Sequence, residues 1–381
     1  MSFITCVCVC NLFEPSPTVA QDVRSIPLIS EITRVQPMTG IVLWSDNDNA
    51  VKHPDAITLE YRYCGYDEVV KPNGKYDYTK IDSILDAIAK SERKKTHFCD
   101  WSNKAFQDFL FEFYSKFADR YDNDPRIGFL QTGFGLWAEY HIYDGPKKLG
   151  KTFPSKKYQA RFLRHMDKQF NNLPWSISID AADYDYTPLE DNDELLAIEF
   201  GVFDDSFLCK PHPKENAVNW KILGSHRWKR QPGGGEFSYY NSKDQKKALT
   251  QNGPNGVSFK AAAKQFHITY MIGNDQPRYQ PIERIRSAGM TTGYRFRVTA
   301  ASVKGHELLL QVTNDGVAPI YRDAYFTAGA KRSKNSLRGL LPTESRVCRI
   351  NGVSDKDLKQ ITIQSDAILP SQSIQFDANL K

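Results

Sequence analysis

Gly40-Ile41-Val42-Leu43-Trp44-Ser45, followed at once by Asp46-Asn47-Asp48-Asn49, is the stretch on which the fold reading turns. An apolar run of strand length that stops at a polar turn reads as a strand buried on both faces, the kind found in parallel sheets. Outward from it, strand-like and helix-like blocks alternate. Residues 56–64 read as a second strand and 96–101 as a third. Between them, residues 78–90 read as a helix with Ile81, Ile84, Leu85 and Ile88 on one face. Residues 105–121 form an amphipathic helix with Phe106, Phe109, Leu110, Phe113 and Phe117 inward. Residues 127–132, 175–180, 195–200, 229–237 and 267–272 read as strands four to eight. Helical blocks fall at 156–170, 217–223, 259–266 and 281–288. Eight short strands alternating with helices predict an α/β fold, a (β/α)8 TIM barrel over residues 21–290.

From about residue 292 the texture changes. Tyr294-Arg295-Phe296-Arg297-Val298-Thr299-Ala300 alternates with period two, as do residues 307–312 and 360–364. Asn314-Asp315-Gly316 and Asn351-Gly352 are turn signals. Residues 291–381 are therefore expected to form a C-terminal antiparallel β-sandwich.

Composition narrows the functional classes. The chain holds 50 basic and 45 acidic residues, a net charge of +5 that is scattered along the sequence. Nucleic-acid proteins concentrate basic charge, so no nucleic-acid partner is expected, whereas an anionic polysaccharide needs only a few cations in a cleft. Aromatic residues make up 12% of the chain, which fits either sugar-binding faces or a Tyr-rich core. The seven cysteines are dispersed, with no C-x-x-C and no nearby His pair. No metal and no dense disulfide framework are expected. No G-x-G-x-x-G follows the first strand and no G-x-x-x-x-G-K-[ST] occurs, so no nucleotide cofactor is expected. Residues 3–13 are apolar, and Thr18 and Ala20 suit a signal-peptidase site. Residues 1–20 therefore read as a signal peptide without its positive n-region, and the protein as secreted or periplasmic. No later segment is apolar enough to cross a membrane.

In a barrel of this kind, chemistry sits at the C-terminal ends of the strands. Glu139 follows the fourth strand within Gly133-Phe134-Gly135-Leu136-Trp137-Ala138-Glu139-Tyr140-His141, and Glu236 ends the run Gly233-Gly234-Gly235. Hydrolysis of a glycosidic bond needs two carboxyls, one protonated to serve the leaving oxygen and one to attack or to activate water. The retaining mechanism sets them about 5–5.5 Å apart. Glu139 and Glu236 are the candidate catalytic pair. Other strand-end residues are candidates for substrate binding: Trp44 and Asp46, Arg62, His97 and Trp101, Trp137 and His141, Asp180, Asp204 beside Asp205, and Asn274. Glu199 is a rival carboxylate, but inside an apolar strand it reads as a structural ion-pair partner. A non-catalytic carbohydrate-binding barrel, or a polysaccharide lyase using Tyr140 or His141 as base, would account for the same residues.

The run from Asp124-Pro125-Arg126-Ile127 through Trp137-Ala138-Glu139-Tyr140-His141, then Gly234-Gly235-Glu236 and Asn314-Asp315-Gly316-Val317-Ala318-Pro319-Ile320-Tyr321-Arg322, resembles a poorly characterised bacterial family. That family is similar to clan A retaining glycoside hydrolases, a barrel with an appended β-sandwich. The resemblance covers most of residues 38–381. It implies that Glu139 is the acid/base and Glu236 the nucleophile, and, through relatives of such barrels, a β-galactosidase-like activity on an algal galactan. Clan A commonly has Asn before the acid/base; here Ala138 stands there, so either another residue contacts the sugar 2-hydroxyl or the kinship to clan A is distant.

Overall fold

The computed structural model describes residues 23–71, 73–87, 100–142 and 146–381. The expected signal peptide, His97 and most of the expected third strand lie outside the described residues.

Two short strands, β1 (Val23–Ser25) and β2 (Leu28–Ser30), precede seven that build one parallel sheet. These are β3 (Gly40–Trp44), β4 (Glu60–Tyr61), β5 (Leu130–Gln131), β6 (Trp175–Ser178), β7 (Gly201–Phe207), β8 (Gly233–Phe237) and β9 (Tyr270–Ile272). They pair in the order β4-β3-β9-β8-β7-β6-β5, every pairing parallel.

This arrangement corrects the expected (β/α)8 TIM barrel. Among the described residues the parallel sheet has seven strands, and no pairing joins its two ends, β4 and β5. Each of these end strands is only two residues long. Nor do the described residues form a regular ring of eight helices. Asp48–Lys52, Tyr66–Val69, Asp193–Ala197 and Gln276–Tyr279 span only four or five residues each.

The expected sixth strand, residues 195–200, is a second correction. Its apolar run begins inside the helix Asp193–Ala197, because the Asn192 side chain accepts from the Leu195 amide at 3.1 Å and Asp193 and Glu194 occupy the first turn. A short apolar run does not distinguish a buried strand from a helix, and the capping residues decide it. The strand follows instead at Gly201–Phe207, which takes Asp204 and Asp205 from the expected loop into the sheet.

The long helices follow the expected periodicity. In Lys104–Tyr121, Leu110, Phe113, Tyr114, Phe117 and Tyr121 are buried, and the Asn103 side chain caps the Phe106 amide at 3.2 Å. Tyr114 reaches Thr132 Oγ1 at 2.7 Å, pinning the chain just past β5. Lys156–Gln169, capped by Ser155, buries Tyr158, Phe162, Leu163 and Met166. No described helix is long and apolar enough to cross a membrane.

The C-terminal strands are β10 (Phe296–Lys304), β11 (Glu307–Asn314), β12 (Tyr325–Ala328), β13 (Lys331–Arg332), β14 (Ser345–Asn351), β15 (Ile361–Gln364) and β16 (Phe376–Leu380). The expected antiparallel β-sandwich of residues 291–381 is corrected as well. The larger sheet, β14-β11-β10-β16-β2, is mixed: β16 runs parallel to β10, and β1 and β2 join from the other end of the chain. The smaller sheet is β13-β12-β15. Phe296, Leu308, Leu310, Phe326, Ile363 and Phe376 share one core between them.

The segment Ala318-Pro319-Ile320-Tyr321-Arg322 joins this region to the parallel sheet. The buried Tyr321 hydroxyl donates to the Trp228 carbonyl at 2.7 Å, and His267 Nδ1 lies 2.6 Å from the Val317 carbonyl with its ring stacked on Trp228.

Candidate active site

Glu236 lies in β8 and Asp205 in the neighbouring β7. Asp204 pairs with Gly235 and Phe207 with Phe237, so β7 advances three residues while β8 advances two. The extra residue is a bulge, a device that re-aims side chains next to active sites. Gly235 is required here. Its φ is 154°, and a Cβ would meet the Asp204 carbonyl oxygen at 2.0 Å.

Glu139 comes from the loop after β5. That loop rests on Phe134 and Tyr140, which pack against each other and against Phe153. It folds back tightly enough that a Cβ on Gly135 would meet the His141 carbonyl oxygen at 2.0 Å. Trp137 and Ala138, just before Glu139, both sit at left-handed φ, 59° and 63°. Two consecutive non-glycine residues in that region store strain, which folds tolerate mostly where a side chain must be aimed.

The result is a nest of acids. Glu139 is only 5% exposed. Burial first, then a hydrogen bond and charge from Asp205, then the charges of Asp180 and Glu236, push its carboxyl up to about 11. Burial also raises Asp205 above the ordinary carboxylate range, while its hydrogen bond to Glu139 pulls the other way. Glu139 and Asp205 therefore share a proton that rests on Glu139. Burial, then the charges of Asp205 and Asp275, push Glu236 up to about 8, with Trp44 pulling weakly in the opposite direction.

His141 completes the cluster. Its Nδ1 lies 2.7 Å from Asp180 Oδ2 and its Nε2 lies 3.1 Å from Glu139 Oε2. Donor atoms of Glu139, His141 and Asp205 all lie within 4.8 Å of one another, a spacing that would hold a metal ion. The sequence reading expected no metal and missed this grouping, because the three residues come from two distant segments.

Aromatic faces stand beside the acids. Burial first, then the charges of Glu236 and Glu139, hold the Tyr63 phenol protonated. It packs on Trp137 at 4.9 Å and on Tyr61 at 5.0 Å, and both Tyr63 and Trp137 are partly exposed. Tyr239, also exposed, is raised by burial and by Glu236.

The expected site residues divide accordingly. Glu139, Glu236, His141, Asp180, Trp44 and Trp137 come together. Asn274 plays a supporting part: its side-chain oxygen accepts from the Trp44 amide at 3.1 Å and from Asn47 at 2.9 Å. Asp46 is half-buried in the turn after β3, and Arg62 is drawn to Glu68 at 3.7 Å.

Two expectations are corrected. Trp101 is 3% exposed and packs against Phe106, Phe134 and Tyr158, so it is a core residue. Asp204 is fully buried on the opposite face of β7 from Asp205. There it accepts from the Ser206 amide, the Asn216 side chain and His212. Glu199 pairs with Arg230 at 2.7 Å, away from the acids. Asp205 was expected only beside Asp204, as one of two strand-end acids, and Tyr63 was not singled out. Strand alternation would have separated Asp205 from Asp204 had the strand been placed correctly.

No family model matches this chain, and no curated protein matches it. Among solved structures, a protein named N2152 from Neocallimastix frontalis is similar over 92% of this chain and 94% of its own, with a TM-score of 0.39 and 10% identity. A likeness that slight carries no weight for fold or function.

Proposed function

We propose that this protein is a glycosidase that cleaves a polysaccharide or oligosaccharide by retaining double displacement. The observation that supports it is the convergence of Glu139, Asp205 and Glu236, where burial and mutual repulsion keep a proton on Glu139 beside exposed aromatic faces. Protonated Glu139 gives its proton to the glycosidic oxygen as that bond breaks. The Glu236 carboxylate supplies an electron pair to the anomeric carbon and forms a glycosyl ester. Water, losing its proton to the Glu139 carboxylate, then releases the sugar and restores both groups. General-acid help of this kind is worth about 10²–10⁴ in rate. Tyr63 and Trp137 offer faces on which a sugar ring can stack.

A lyase is less well supported. Tyr140 is 1% exposed and enclosed by Phe134 and Phe153, so its hydroxyl is out of reach of a polymer. Incubation with a panel of plant and algal polysaccharides, galactans among them, should release reducing ends without the ultraviolet absorbance of an unsaturated product. Glu139→Gln should abolish that release. Full activity in the variant would remove Glu139 from the mechanism.

A further inference from the structure

We infer that Glu139, His141 and Asp205 form a binding site for one divalent first-row transition cation. His141 Nδ1 is held 2.7 Å from Asp180 Oδ2, the outer-sphere carboxylate contact that fixes the ring of a metal-ligating histidine. The tautomer that donates from Nδ1 to Asp180 leaves Nε2 as the nitrogen a metal would take. Nε2 faces Glu139 Oε2 at 3.1 Å, an oxygen that is buried and without a hydrogen-bond partner. A cation set between them would give that buried oxygen its partner.

Asp205 supplies the third donor. All three donor atoms lie within 4.8 Å of one another. Ligands about 2.1 Å from one ion stand roughly 3–4.3 Å apart, so the site needs to contract by less than an ångström to close on a metal. One imidazole nitrogen and two carboxylate oxygens suit zinc, cobalt or manganese, and the two carboxylate charges balance a dication. Calcium would want more oxygen ligands than the cluster offers.

A bound cation would hold Glu139 ionised and so block proton donation. That consequence rests on the glycosidase reading; the binding does not. Titration of the whole protein with Co²⁺ tests the site directly, because a bound Co²⁺ ion absorbs in the visible according to its ligands. The expected result is one equivalent bound by calorimetry, with a new visible band. His141→Ala and Asp205→Asn should each weaken binding at least 100-fold. Asp180→Asn, which leaves all three donors in place, should weaken it about 10- to 100-fold. Circular dichroism of each variant confirms that the fold persists. No stoichiometric binding, or binding that these substitutions leave unchanged, overturns the site. Turnover measured on the same samples reports separately on Glu139 as the acid.

Discussion

Asp205 stands across the β7–β8 bulge from Glu236, and its charge is the leading neighbouring influence that keeps Glu236 protonated. Retaining chemistry needs Glu236 ionised and Glu139 protonated. In the free enzyme, kcat/KM should therefore rise with pH through about 8, where Glu236 loses its proton, and fall toward about 11, where Glu139 loses its own. Asp205→Asn removes the negative charge beside both groups, so both limbs of the profile should move to lower pH. A profile of the variant that superposes on the wild type would show that Asp205 does not act on either group.

Asp204 and Asp205 are adjacent but should behave oppositely. Asp204→Ala leaves the His212 ring and the Ser206 amide without their buried acceptor and leaves the Asn216 amide only Ser206 Oγ, and should cost at least about 1–3 kcal/mol of stability. Asp205→Ala removes a repelled carboxylate and should leave thermal stability equal or higher while lowering turnover. Denaturant melts of the two variants separate these outcomes.

Glu139 also sets a pH dependence of stability. Unfolded, it titrates near 4.5; folded, it keeps its proton up to about 11. The folded state therefore holds the extra proton between those values. The contribution of this group is full below the unfolded value and is lost as pH rises toward the folded one. Glu139→Gln, a neutral replacement of the same shape, should flatten this slope and gain on the wild type as pH rises. Melting temperatures measured from about pH 5 to about pH 10 should diverge in that direction.

The left-handed pair before Glu139 gives a further expectation. Ala138→Gly relieves an unfavourable φ and should stabilise the fold by up to about 1 kcal/mol, while loosening the loop that aims Glu139 and lowering kcat. Trp137→Ala should instead raise KM about tenfold with a smaller effect on kcat, because it removes a face packed on Tyr63 rather than the acid. Equal losses in kcat for both variants would assign Trp137 to positioning rather than to binding.

Much of the parallel sheet was legible in the sequence because its central strands are apolar runs closed by polar turns; residues 40–44 and 270–272 lie where that pattern puts them. Helices with a long apolar stripe, such as Lys104–Tyr121, were equally plain. Closure was not legible. Alternation of strand and helix does not state whether the end strands meet, and among the described residues β4 and β5 do not pair. Residues 195–200 misled because apolar content outweighed the cap at Asn192. That error left Asp204 and Asp205 undistinguished, since a residue thought to lie in a loop has no face. The mixed sheet was hidden for another reason: β16 pairs parallel with β10 from far along the chain, and β1 and β2 are three-residue strands whose partners lie at its other end. The conspicuous Ala318-Pro319-Ile320-Tyr321-Arg322 run is a structural joint, because Tyr321 uses its hydroxyl on the Trp228 carbonyl.

The most direct measurement is the mass of the protein after incubation with a panel of activated 2-deoxy-2-fluoro glycosides, which slow the second displacement and let a glycosyl ester accumulate. Double displacement at this site predicts one added sugar, located by peptide mapping on Glu236 and absent from Glu236→Gln. A protein that hydrolyses its polysaccharide yet carries no adduct, with Glu236→Gln as active as the wild type, would contradict it.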